Sequence, residues 1–536
     1  MGILSGPRAG AISSTGGRPG PAARASALAL LAATLACGGA GPRIARVLPG
    51  PGARLDPIYD ATVSYPNTVV VIHGLPYQGL EVDLEIEFDD ASVRDGDPAF
   101  EAEARVASVL AGGVPQSFNL LGPLDLKGSL SAGTLDTGLF GPIVLGTSSL
   151  ILELTGALAD GGRHVAGSAA LFGTADTGSF LAVKRRRYLV TGSDLTSPIG
   201  KVAVVTVKND SAISIADDLE VVSSDPVARV SDGRPLVVNR FTFDNLQGLD
   251  PVADLKTIFQ YSVGGGANPH DAVVLPPGAP GAMGARSGVA FVTRYNPPFN
   301  DIAILSLDDG TILDHIDLTP YARNADHTPR ADQALLHGGL LYVTMEDANV
   351  SFTQFMNGRL LVIDPALRNV VDVIDLSGQN PFESLLYSED TGLIYVGLAG
   401  IFPGLLKQAL TGGIEAVDPS TRQSRGLLVD DDALGGNVSA VAVASASRGY
   451  CVVSDALFHD HLMAFDPTSG TVLGSLFDTT DPLQALAYDG DGFLLVADSG
   501  SLAPRILVLD AATGAMVASL PARVPPLSFA ILTRSL

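Results

Sequence analysis

An all-β chain built on a repeated four-stranded unit is the fold class this sequence predicts, and three observations carry the prediction. Turn formers are dense, with 60 Gly and 35 Pro among 536 residues. Hydrophobic residues make up 46% and charged residues only 17%, the composition of a folded, turn-rich chain of many short strands. An apolar strand closing on a small polar residue recurs six times across the C-terminal two-thirds. A chain this long exceeds one ordinary core, so it requires several domains or one large repeat array. The formal net charge of −24 argues against a nucleic-acid partner, because phosphates need clustered Lys and Arg.

From the N-terminus, residues 1–36 read as an export signal: Arg8, Arg18 and Arg24 without any acid, then an apolar run from Ala25 to Ala36. The segment Ala33-Thr34-Leu35-Ala36-Cys37-Gly38 resembles a bacterial lipobox, in which the cysteine is acylated and becomes the mature N-terminus. That resemblance implies lipidation at Cys37 and a membrane partner through the lipid anchor. Gly38 rather than Asp after the cysteine implies an outer-membrane protein, periplasmic or at the cell surface. The alternative is a secretory signal cut near Ala36. Residues 38–54, rich in Gly and Pro, suit a tether in either case. Cys451 lies in an apolar run far from Cys37, so no disulfide is expected. After the N-terminus no apolar stretch is long enough to span a bilayer.

Residues 55–183 lack the repeat but remain β-rich. Leu80, Val82, Leu84, Ile86 and Phe88 alternate with Glu81, Asp83, Glu85 and Glu87, a half-buried strand with an acidic outer face. Runs at 68–72, 149–154 and 165–172 supply further strands of a sandwich-like accessory domain. The basic run Lys184-Arg185-Arg186-Arg187 marks the boundary and reads as a solvated inter-domain edge.

From Arg187 onward the repeat begins. Its second strands read Tyr188-Leu189-Val190-Thr191, Ala290-Phe291-Val292-Thr293, Leu341-Tyr342-Val343-Thr344, Ile394-Tyr395-Val396-Gly397, Tyr450-Cys451-Val452-Val453-Ser454 and Leu494-Leu495-Val496-Ala497-Asp498. Its third strands run into aspartate-led turns at Asp308, Asp364, Asp418, Asp466 and Asp510, a period of roughly 50 residues that matches four-stranded propeller blades. Asp bonding back into the turn, Pro presetting φ and Gly taking positive φ make these hairpins.

These strands and turns resemble the YVTN-repeat, YncE-like propellers, which implies seven blades over residues 187–536. The second blade is degenerate, with Pro235 to Asn239 as second strand and Phe241-Thr242-Phe243-Asp244 as third. Tyr188 starts at a second strand, and the apolar run 527–532 has no second strand after it. That C-terminal run therefore supplies blade one's missing strand and closes the ring. The expected architecture is a seven-bladed β-propeller closed by a C-terminal strand and preceded by a β-rich domain.

Chemistry is sparse. Val69 to Gly74 mimics the strand before a hydrolase oxyanion loop, but no Gly-x-Ser-x-Gly follows. Quinoprotein propellers rely on recurrent tryptophans, and this chain has none. His459 and His461 flank Asp460 as half of a metal site or as plain surface polarity. Links between first and second strands are read as brief, as at 337–339, 389–392 and 489–492, whereas connections at 294–300, 345–358, 398–413 and 455–461, with those between blades, are long and emerge on the opposite face, the mark of a binding surface. At that face's channel mouth His270, Asp271, Asp326, His327, Arg330 and Asp332 form the best cluster for a ligand, against a reading as ordinary loop polarity. Asn268-Pro269, Asn380-Pro381 and Asp481-Pro482 before the innermost strands are read as caps that aim those strands.

The expected function is a non-catalytic cell-envelope lipoprotein that binds a protein, glycan or envelope component through the loop-rich face, with no cofactor. The alternative is a propeller hydrolase or lactonase holding a divalent cation at an acidic channel mouth. A purely structural envelope component is the third reading.

Overall fold

Strict alternation of apolar and acidic side chains from Leu80 to Phe88 turns one side of that strand inward, and its neighbours follow the same rule. The computed structural model describes residues 58–88, 99–120, 124–131, 134–145, 148–159, 163–172, 176–251, 255–402 and 408–532. The export signal, Cys37 and the tether lie outside the described residues. In the N-terminal domain eight antiparallel strands pair in a closed circuit. They are Ile58–Ile72, Leu75–Phe88, Ala99–Ala111, Leu124–Ser131, Thr134–Asp136, Ser148–Ala159, His164–Leu171 and Thr177–Lys184, the last returning to the first with Lys184 opposite Tyr59. Opposite walls thus face each other across one core because a single sheet curls on itself. Tyr59, Tyr65, Phe88, Phe100, Phe140 and Phe180 fill that core. Gly156 sits directly across from Gly167, and a Cβ on Gly156 would come within 2.7 Å of the Phe180 ring, so glycine there leaves space for the aromatic.

Three short strands, Val114–Pro115, Asn119–Leu120 and Phe140–Leu145, extend that sheet, and the strands from Arg186 onward form seven four-stranded antiparallel sheets, a seven-bladed β-propeller. Blade 1 takes its innermost strand, Pro526–Ile531, from the far end of the chain, where Ile531 pairs with Tyr188. Seven separate apolar clusters hold the ring, each made by two adjacent blades. One of them seals blade 7 to blade 1 through Phe493, Leu495, Val508, Tyr188 and Phe529.

The repeated residues have identifiable work. Tyr342, Tyr395 and Tyr450 each reach with the phenol to a backbone carbonyl in the aspartate turn of the following blade, at 3.4, 3.1 and 2.8 Å. Thr191 and Thr293, closing their second strands, donate to Pro226 O and Asp332 O on the next innermost strand, both at 3.0 Å. The turn aspartates accept from the backbone N–H groups that follow, as Asp466 does from Thr468 and Ser469 at 2.8 and 2.9 Å.

Three expectations are corrected. The run 241–244 in blade 2 is a turn, with Phe241, Thr242 and Asp244 at positive φ, and the third strand is Asn245–Leu249. The link between the first two strands of blade 3 is long, 276–288, and winds through successive tight turns from Pro276 to Gly288. The basic run is not solvated: Lys184, Arg186 and Arg187 are buried. Lys184 pairs with Asp491, Arg185 with Asp60 and Glu85, and Arg186 with Asp210 at 2.8 Å while its guanidinium lies 3.9 Å over the Phe493 ring. Asp491 lies in a first-to-second link and Asp210 in a third-to-fourth turn. The barrel therefore meets the propeller on the face opposite the long connections.

Candidate functional site

In an up-and-down blade the innermost strand starts, and the second strand ends, at the same face as the second-to-third connections. The first residues of innermost strands Asp225–Ser231, Pro269–Leu275, Ala331–His337 and Pro381–Ser388 therefore gather at the loop-rich mouth of the channel, joined by Arg240 at the end of Arg234–Arg240. Asn268 and Asn380, each before its Pro, adopt positive φ. Asn380 also donates to Gly400 O at 3.0 Å, so these residues aim the strands.

His270 stands at the centre of a chain of hydrogen bonds. Asn268 Nδ2 donates to His270 Nε2 at 3.2 Å, which puts the ring proton on Nδ1, and Nδ1 donates to Asp332 Oδ1 at 2.7 Å. The Glu383 N–H donates to Asp332 Oδ2 at 2.6 Å. Burial holds the imidazole below its ordinary range, so it is neutral. Burial also opposes ionisation of Asp332, but the hydrogen bonds from His270 and the Glu383 N–H, with the charge of Arg240, outweigh it and hold the carboxyl below the usual range. Both ring nitrogens of His270 are thus committed.

Asp271 is equally occupied. It accepts from Arg229 Nε at 2.5 Å, from Ala272 N at 2.7 Å and from Ala334 N at 2.8 Å, while Arg229 Nη2 donates to Gln333 at 2.6 Å. Arg240 bridges Asp225 at 3.0 Å and Glu383 at 2.9 Å. Burial pushes the Glu383 carboxyl up despite that arginine. Arg229, Arg240, Gln333 and Glu383 line a depression of about 520 Å3 that opens to solvent, together with Ser439 and Gln484.

Arg330 joins the mouth through an aromatic column. Its guanidinium lies 4.8 Å from the Tyr295 ring and 4.4 Å from the Phe352 ring, and Tyr295 stacks in turn on His270 at 3.9 Å. The Tyr295 hydroxyl donates to Glu346 Oε2 at 2.7 Å. Burial, reinforced by Asp332, pushes the Glu346 carboxyl well above its usual range, and Oε1 has no partner among the described residues.

The six residues singled out in the sequence therefore divide. His270, Asp271 and Asp332 meet at the mouth, Arg330 reaches it through Tyr295, and Asp326 and His327 stay on the exposed connection between blades 3 and 4. There Asp326 accepts from Val350 N at 2.9 Å and His327 approaches Ala322 O at 3.5 Å. His461 pairs with Asp478 at 2.7 Å, His459 lies 3.5 Å from Asp455, and Asp460 is buried against Ser454 and the Leu483 N–H. Among the described residues no three His, Cys, Asp or Glu side chains converge as a metal site. Burial pushes the Cys451 thiol up to about 12. Sequence reasoning missed Arg229, Arg240, Tyr295 and Glu346. Their only signal was position, within or just past the strands that end at the mouth.

No protein-family model matches the chain. A stretch of 167 residues, 30% of the chain, is 24% identical to the DNA mismatch repair protein MutL of Clostridium botulinum and spans 23% of that protein. Among solved structures, a protein from Lactobacillus plantarum superposes with a TM-score of 0.46 at 12% identity, covering 65% of this chain and 99% of that one. A candidate 6-phosphogluconolactonase of Bacteroides fragilis gives 0.45 at 12%, covering 65% and 98%. Apo AztD of Citrobacter koseri gives 0.34 at 13%, covering 89% and 98%. No statement about activity follows from likenesses at these scores.

Proposed function

We propose that this chain is an exported lipoprotein of the YVTN-repeat, YncE-like kind, anchored through Cys37 at the outer membrane, and that it binds a protein, glycan or other envelope component without catalysis. The loop-rich face of the propeller is the binding surface. One observation carries this reading: the groups at the mouth best suited to chemistry are spent on one another, with both nitrogens of His270 and both oxygens of Asp332 and Asp271 engaged within the chain. A mouth built this way is rigid and pre-shaped, which favours recognition over proton transfer. The barrel leaves this face clear because it occupies the other one, through Lys184 with Asp491 and Arg163 with Asp210. The test is capture of envelope fractions by the purified full chain, with residues 350–353 at the exposed tip of the blade 4 connection replaced by glycines as the control variant. Capture should survive chelation and fall with that variant. Capture unchanged by the variant would overturn the reading.

A hydrolase acting at the same mouth has one observation in its favour, the Glu383 carboxyl held up beside Arg240 at the rim of the channel. Hydrolytic turnover abolished by Glu383→Gln would select that second reading.

A further inference from the structure

Exposed apolar side chains recur at corresponding places around the loop-rich face. Leu195, Phe241, Val350, Leu457 with Phe458, and Leu502 stand in the second-to-third connections of blades 1, 2, 4, 6 and 7, and they are between 52% and 99% exposed. Isolated surface leucines need no explanation, but a set repeated at one level of a repeat scaffold does. These side chains are also held outward. Leu195, Phe241 and Phe458 adopt positive φ, a strained conformation that bulky residues avoid. Polar side chains fix the backbone beside four of these five connections. Asp194 accepts from Thr196 N and Ser197 N at 2.9 and 2.7 Å, and Asp455 accepts from Leu457 N and His459 N at 2.7 and 2.9 Å. Asn268 takes the Phe241 N–H at 3.2 Å, and Asp326 takes the Val350 N–H at 2.9 Å.

The charge inside and around this crown is negative. Asp225, Asp271, Asp332 and Glu383 outnumber the cations at the mouth, Arg229, Arg240 and, through its aromatic column, Arg330. Between the tips stand exposed Asp194, Asp326, Asp432 and Asp481. Arg323 on the same face is neutralised by Asp347 at 3.1 Å, while Arg523 shares Asp218 with Lys201, at 3.4 and 2.6 Å. Apolar tips around an acidic centre complement apolar side chains around a basic centre. We propose that the loop-rich face docks a polypeptide whose basic segment enters the acidic mouth while flanking apolar side chains pack among the loop tips. This deepens the binding reading above and rests on it. A second copy of this chain is a poor occupant, since it brings the same acidic face and a formal net charge of −24. A bilayer would press the carboxylates between the tips against lipid.

The chain has no tryptophan, so one tryptophan in a probe peptide reports binding directly through its fluorescence. The probes are a peptide of lysines flanked by leucines, a lysine–serine peptide and a glutamate–leucine peptide, each with one tryptophan, together with phosphatidylcholine vesicles. The full chain should bind the lysine–leucine peptide best. Affinity should fall roughly ten-fold in L457S/L502S, with an unchanged melting temperature, and again as salt rises from about 50 to 300 mM. Equal binding of the glutamate–leucine peptide, no loss in L457S/L502S, or vesicles binding as well as the peptide each overturns the proposal. If no peptide binds but envelope capture still depends on residues 350–353, this inference fails and the binding reading stands. If capture is also indifferent to that loop, both fail.

Discussion

Glu346 shows how a single buried group sets the electrostatic character of the mouth. Its carboxyl is enclosed, hydrogen-bonded through one oxygen to Tyr295 and held well above the ordinary range by burial. A group whose folded-state pKa is raised contributes stability that is fully present below its unfolded value, near 4.5, and lost as pH rises through the folded value. Glu346→Gln should therefore melt like the parent in mild acid and above it in alkali, which a series of thermal melts across pH would read. A parent advantage that grows with pH would refute the assignment. His270 acts in the opposite direction: its depressed pKa contributes stability above about pH 6.5 that is lost as pH falls through the folded value. The pair His270 and Asp332 was legible in the sequence only as polar residues at two strand starts 62 positions apart. Arg330 looked like loop polarity, because nothing local to residues 328–332 announces the aromatic rings of Tyr295 and Phe352 that clasp its guanidinium.

At the scale of elements, the strand Pro526–Ile531 completes blade 1 and contributes Phe529 and Ala530 to the clusters on both sides of that blade. Removing residues 526–536 should uncover those clusters and leave the Arg186–Gly192 strand with an unpaired edge. Cooperative melting should be lost and the chain should associate, as size-exclusion chromatography and calorimetry would read. A peptide of residues 520–536 added in trans should restore the transition; its failure to do so while the truncated chain stays monomeric and folded would sink the claim. This strand was legible because an apolar run with no partner of its own had to pair with something. The second strands were legible for a chemical reason, since Tyr342, Tyr395, Tyr450, Thr191 and Thr293 each reach a specific carbonyl on the next blade. Blade 2 defeated the pattern. Phe241 and Phe243 imitate an alternating strand while positive φ at three of the four residues 241–244 makes a turn, and the true third strand, Asn-Leu-Gln-Gly-Leu, carries polar groups that bond Asn239 and Thr257. The long link in blade 3 was hidden for a similar reason, being a series of turns rich in Gly, Ala and Pro with no strand to mark its length.

For the whole molecule, the barrel and the propeller are joined by buried charges, and buried pairs are costly to break because the surviving partner is stranded. Lys184→Ala, which strands Asp491 across that junction, should cost about 3–5 kcal/mol on that ground. Combined with Arg163→Ala, which removes the pair with Asp210 at 3.0 Å, it should split one calorimetric transition into two, the barrel and the propeller unfolding separately. A single transition in the double variant would mean that covalent continuity alone couples the domains. The sequence marked this junction by its four basic residues and misread their setting, since a charge run looks the same whether its counter-ions are solvent or Asp60, Asp210 and Asp491. The pairing of Tyr188 with Ile531 has a further consequence in time. Neighbouring blades can form as their residues emerge, but the ring has no closing contact until residue 531 is delivered, and that contact spans almost the entire propeller. Long-range closure is slow because its loop entropy is lost before the contact is gained. The chain should therefore populate an open, incompletely sealed arc whose two end blades display apolar faces. That interval is when it is most exposed to proteases and most in need of a chaperone.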